Sequence, residues 1–134
     1  MRPTGAIAAA LTLTLTLAGA AQAQSYGPAP STPKVVATYP ADGAHVPPSV
    51  AELRVSYDHR MMASWSFATR GEKAFPEVLG APTLSPDHIT ISLPIRLEPN
   101  RTYVVWLNTD RYKNFKSEDG EAAEPYRLTF HTTD

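Results

Sequence analysis

The sequence predicts an all-β domain, a single antiparallel β-sandwich of about seven strands, on three observations. Short runs of β-branched and aromatic residues recur between turn signals, with apolar and polar side chains alternating along them. The 13 prolines are spread along the chain, and each removes a backbone donor and restricts its neighbour, which opposes long helices. Residues Leu97 to Tyr103, LEPNRTY, have the spacing of a sandwich corner, in which Tyr103 packs inward and returns its hydroxyl to the turn backbone.

The N-terminus carries one charge at Arg2, an apolar stretch from Ala6 to Leu17, then Ala21-Gln22-Ala23 before Gln24. This is the pattern of a secretory signal peptide over residues 1–23, too short in its apolar part to span a bilayer comfortably. Its removal leaves no membrane span and places the chain in the periplasm or outside the cell. Gln24 to Pro33, QSYGPAPSTP, reads as an extended, solvated leader, and residues 34–134 as one domain.

Six runs read as strands: Val35 to Tyr39, Val50 to Tyr57, Ser64 to Thr69, His88 to Leu93, Thr102 to Asn108 and Tyr126 to Thr132, with a seventh at Glu77 to Gly80. Alternation sets their faces. Leu53, Val55 and Tyr57, Ile89, Ile91 and Leu93, and Tyr126, Leu128 and Phe130 point inward, with Trp65 and Phe67 as the aromatic centre. If Tyr103, Val105 and Leu107 also point inward, Val104 and Trp106 point outward beside Arg127, Thr129 or His131.

Composition narrows function by exclusion. There is no cysteine, so neither disulfides nor thiolate chemistry is available. Twelve basic residues against 13 acidic ones, with no basic block, exclude nucleic acid as a partner. No nucleophile elbow, His-Glu-x-x-His or phosphate loop is present. Asp58-His59 and Asp87-His88 are adjacent pairs, and neighbours on an extended chain face opposite ways, so neither Asp is expected to orient its ring. The expectation is a non-enzyme without a cofactor.

Three pieces of the chain carry a resemblance: Val35 to Ala44 (VVATYPADGA), Ser56 to Met61 (SYDHRM), and the corner at Leu97 to Tyr103 with the closing Tyr126 to Thr132 (YRLTFHT). Together they resemble bacterial Ig-like domains of the S-layer-protein (SbsA-like) type, which implies an Ig-like sandwich serving as a spacer or binding module in an exported protein. The Pro-Ala-Asp-Gly opening also resembles small periplasmic copper carriers of the CopC type. Those carriers use a histidine at the mature N-terminus and an Asp-Gly-His near the last strand. Here the corresponding positions are Gln24 and Asp119-Gly120-Glu121, so this resemblance implies a shared fold without shared Cu(II) binding.

The long connection from Asn108 to Glu124 interleaves Arg111, Lys113 and Lys116 with Tyr112 and Phe115 before an acidic half. Loops of this length are usually functional or disordered. The expected partner surface is therefore the outward face bearing Val104, Trp106, Arg127 and Thr129 together with Arg111, Tyr112, Lys113 and Phe115, gripping a protein or glycan at the cell envelope. The blander alternative is a solvated loop pinned where Tyr112 or Phe115 tucks against the sandwich. The acidic half lacks the regular spacing of a Ca²⁺ loop. As an alternative function, His59 with Met61 or Met62 offers the imidazole and thioether donors of a Cu(I) carrier, although consecutive methionines point to opposite faces.

Overall fold

A computed structural model describes residues 31–71 and 74–134. The expected signal peptide and most of the leader lie outside the described residues. Among those described, nine strands form two sheets, and no helix is long and apolar enough to cross a membrane. In chain order the strands are β1 (Val35–Tyr39), β2 (His45–Val46), β3 (Glu52–Tyr57), β4 (Phe67–Ala68), β5 (Glu77–Val78), β6 (Thr83–Leu84), β7 (Thr90–Arg96), β8 (Thr102–Leu107) and β9 (Tyr126–Thr132).

One sheet runs β2-β9-β8-β4 and the other β1-β3-β7-β5, with β6 also paired to β7. All pairings are antiparallel except β2 with β9. The expected all-β sandwich is therefore present, with nine strands instead of about seven. The additional two, β2 and β6, are two residues long and too short to show alternation.

The long strands follow the sequence pattern. Leu53, Val55 and Tyr57 of β3, Ile91, Leu93 and Ile95 of β7, Val105 and Leu107 of β8, and Leu128 and Phe130 of β9 are buried and form one core. Each such side chain contributes on the order of 1.5–3 kcal/mol. Ile89 precedes β7 and is half-buried, as is Tyr126. The aromatic centre is also not where Trp65 and Phe67 pointed. Both are half-buried at its margin, while Tyr57, Phe115 and Phe130 are fully buried. Phe115 meets Tyr57 at 5.6 Å and the edge of Phe67 at 5.0 Å between centroids.

β7 runs to Arg96, through Pro94, where the sequence pattern ended it at Leu93. The Ile95 N–H turns to β3 and donates to Ala51, so Pro94 faces the other side, where its carbonyl accepts from Leu79. The missing N–H falls between β5 and β6, which splits that edge into two short strands. Gly80 sits against the Pro94 ring, where a Cβ would meet Cγ at 3.4 Å.

The corner is as expected. The Glu98 N–H donates to Tyr103 Oη at 2.8 Å, and Tyr103 is buried against Phe130. Thr132 Oγ completes it, accepting from the Arg101 N–H and donating to the Glu98 carbonyl.

A candidate binding cleft at the open edge of the sandwich

The connection from Asn108 to Glu124 is ordered from within. Asn108 is fully buried, with φ 66°, and its side-chain amide donates to the carbonyls of Phe115 and Ala123 while its Oδ1 accepts from the Phe115 N–H. This ring of bonds drives Phe115 into the core. Thr109 Oγ then accepts from the N–H groups of Arg111 and Tyr112, which folds the basic segment into a tight turn on the surface. The acidic half is tied down separately, since Glu118 meets Arg60 at 3.1 Å and His88 at 2.7 Å. The hydrogen bonds from His88 and Arg60 hold its carboxyl below the ordinary range.

Burial divides the expected partner surface. Phe115 is 0% exposed and belongs to the core, so it presents nothing to a partner. Val104, expected to face outward, is 6% exposed; its backbone N–H donates to Ala74, where the chain beyond β4 follows the β8 edge. Thr129 is half-buried, its backbone bonded by Gly43 and the Asp42 carboxylate. Trp106 is half-buried, with the Arg70 guanidinium 4.8 Å above its ring. Arg111, Lys113 and Arg127 are exposed, and Tyr112 is 51% exposed beneath the Arg111 guanidinium at 5.7 Å.

The structure joins Tyr112 to residues that the pattern did not single out for binding. β4 is one edge of its sheet and β5 and β6 lie at the edge of the other, and between them opens a cleft of about 670 Å³. Its walls carry four aromatic rings, Trp65, Phe67, Phe75 and Tyr112, with Val78, Pro82 and Leu93 opposite and Ser66, Thr69 and Asn114 as uncharged polar groups. A second cleft of about 460 Å³ adjoins it, sharing Thr69 and Tyr112 and adding Arg70, Asp110 and Arg111. The alternation that marks Trp65 and Phe67 as core does not distinguish the centre of a layer from its open margin.

The alternative metal set is dispersed. Met61 is 1% exposed and packs in the core, whereas Met62 is 42% exposed. No group of three or more His, Cys, Asp or Glu among the described residues is placed to hold a metal. The His59 ring is engaged on both sides, by Asp58 at Nδ1 and by Ser31 Oγ at 2.7 Å from Nε2. Asp58 thus does orient its sequence neighbour, against expectation, because the chain bends at these two residues after β3 ends. The Lys34 N–H and then His59 hold the Asp58 carboxyl below its ordinary value. The order of atoms is that of a Ser-His-Asp relay, but none of its residues lines either cleft, and its effect is to fasten the end of the leader to β3. In the other pair, Asp87 instead accepts from Ser85 and the Ile89 N–H.

Protein-family models and curated proteins give no match to this chain. Solved structures do. The chain is similar to surface layer protein SbsC, domains 1–6, with TM-score 0.50 and 17% identity over 87% of this chain and 15% of that one. It is likewise similar to the N-terminal part of the bacterial S-layer protein SbsC, with TM-score 0.50 and 18% identity over 87% of this chain and 26% of that one. The chain therefore spans about a quarter or less of those proteins, and what it shares with the S-layer protein is the fold of a β-sandwich domain.

Proposed function

We propose that this chain is an exported, non-enzymatic Ig-like module that binds a protein or glycan of the cell envelope through the cleft between β4 and β5–β6. The observation that carries this reading is the set of four aromatic rings lining a cleft at the open margin of the sandwich, with two ring-stacked arginines beside it. Clefts of this size, apolar with a few convergent polar groups, are where proteins hold ligands. Half-exposed aromatic and arginine side chains at such a margin are the residue types that dominate binding energy. The S-layer likeness supports a place at the envelope, and residues 1–23 supply the export signal.

The test is a crosslinking pull-down from the exporting cell, with the chain from Gln24 onward as bait. The wild-type domain recovers a component that Tyr112→Ala loses. Loss in Trp106→Ala and Arg127→Ala without loss in Tyr112→Ala would move the site to the outward sheet face, and recovery indifferent to all three would reject a binding role for this margin.

A further inference from the structure

We infer that the larger cleft is a groove for an extended, proline-rich segment and that this chain's own leader, Gln24 to Pro30, is the segment that covers it, an inference that rests on the cleft being the binding site. Three observations favour that occupant, and the first is chemical. The wall carries the rings of Trp65, Phe67, Phe75 and Tyr112, and Val78 and Leu79, 45% and 49% exposed, continue the apolar margin along β5. Proline-rich segments in the polyproline II conformation dock in aromatic-lined grooves, because proline rings lie flat on aromatic faces and the conformation is set before binding. Pro28 and Pro30 bring no N–H into an apolar wall, where a donor without an acceptor is costly. Residues 24–30, QSYGPAP, hold no charged side chain, so their seating needs no counter-charge in the cleft. The same prolines exclude the other way of filling a gap between sheet edges, a strand added to β4 or β5.

The second observation is where the leader is fastened. The Ser31 hydroxyl meets His59 Nε2 at 2.7 Å, the Lys34 N–H donates to the Asp58 carboxylate at 2.9 Å, and the Glu124 N–H donates to the Pro33 carbonyl. The leader therefore meets the sandwich at the end of β3 that Tyr57 occupies. Only β7 separates β3 from β5 and β6, so the edge of the cleft lies two strand spacings away, about 10 Å. Residues 24–30 reach about 22 Å in the polyproline II conformation, enough to cross that end and lie along the rings. The third is the tether itself. A segment held this close has an effective concentration on the order of 1 mM, so an interaction with a Kd of only about 0.1 mM keeps it seated about nine-tenths of the time. A second copy or a separate peptide at micromolar concentration has no such advantage. An envelope component must displace the leader to enter, which lowers its apparent affinity about tenfold.

The chain has no cysteine, so a nitroxide can be attached at a single position through Ala29→Cys. In NMR spectra of the chain from Gln24 onward, that label should weaken the resonances of Trp65, Phe67, Val78 and Tyr112 and leave those of Asn100, in the turn at the opposite end of β7, unchanged. Pro28→Ser with Pro30→Ser in the labelled chain should restore the cleft resonances. In the pull-down at limiting bait, the same pair of substitutions should raise recovery of the Tyr112-dependent component about tenfold. A label that weakens only resonances near His59 and Glu124, or cleft resonances that stay weakened in the serine variant, would overturn the inference. Weakening seen only between a labelled chain and an isotope-labelled second copy would overturn it in favour of pairing between copies. If the label misses the cleft while Tyr112→Ala still loses the pull-down component, the leader is wrong and the binding module stands. If the label reaches the cleft and the serine variant recovers nothing, the leader is confirmed as occupant and the binding module falls.

Discussion

The two ends of β8 are turned by the same device and stabilised in opposite ways. Asn100 precedes the strand with φ 56° and Asn108 follows it with φ 66°, each taking the left-handed conformation that Asn tolerates better than most residues. At the first end the Tyr103 hydroxyl accepts from Glu98 five residues back, and Thr132 of β9 braces the same turn from across the sheet. At the second, Asn108 itself is buried and reaches seven and 15 residues onward to Phe115 and Ala123. A corner with a bond only five residues long leaves a pattern in the sequence. A corner closed by one buried amide across a long connection leaves none. The second end, though it reads as a loop, is built like core, and the surface turn bearing Arg111 and Tyr112 is held in place by what lies beneath it.

The difference is broken most severely by Phe115→Ala. Its ring fills the space between Tyr57 and Phe67, and its removal leaves a cavity that β-strands on both sides can only partly close. A loss of about 3–5 kcal/mol in chemical denaturation is expected. If Phe115 were a loop residue exposed to partners, the midpoint would barely move. Asn108→Ala comes next. It strips the buried Phe115 N–H and Ala123 carbonyl of their partners, while the Phe115 carbonyl keeps the Ala123 N–H, at about 2–3 kcal/mol. At the other end of the strand, Tyr103→Phe deletes one hydrogen bond and keeps the ring on Phe130, so about 1 kcal/mol is expected. Equal losses at Asn108 and Tyr103 would erase the contrast between the two ends.

What was legible follows the same division. The inward faces of β3, β7, β8 and β9 and the corner at Tyr103 could be read because two-residue alternation and a short turn are local signals. β2 and β6 carry no period, and Pro94 hid the end of β7 because the side its missing N–H faces is decided by pairing. In the site, Arg111 and Tyr112 were visible as basic and aromatic residues in a long connection. Trp65, Phe67, Phe75 and Arg70 were not visible as partners to them, because the cleft is assembled from two sheet edges and the loop. The sequence leaves Phe115 open between partner surface and a ring tucked against the sandwich, since burial of one residue in a polar loop depends on Asn108.

The second end of β8 also differs in its response to acid. Glu118 bridges the connection to Arg60 and His88, and its carboxyl is held below the ordinary value of 4.5 by them. A carboxyl whose affinity for protons falls on folding adds stability above that value and loses it as pH drops below it. Glu118→Gln should therefore lower the melting temperature slightly at pH 7 and leave it unchanged near pH 3, flattening the decline between them by a small amount because the pair is solvent-exposed. An unchanged slope would show that the bridge is not formed in solution.

The smallest effect on stability is expected where the effect on binding is largest. Tyr112 is 51% exposed, and its backbone is held by Thr109 whatever its side chain. Tyr112→Ala should stay within about 0.5 kcal/mol of wild type. A larger loss would mean that the ring supports the turn beneath Arg111 and not a ligand above it, and the cleft would then be a gap left by short edge strands. Phe115→Ala and Tyr112→Ala, three residues apart on one connection, separate what holds this end of the sandwich from what it presents: the first should lower the unfolding midpoint by far the more, and the second should remove recognition while leaving that midpoint in place.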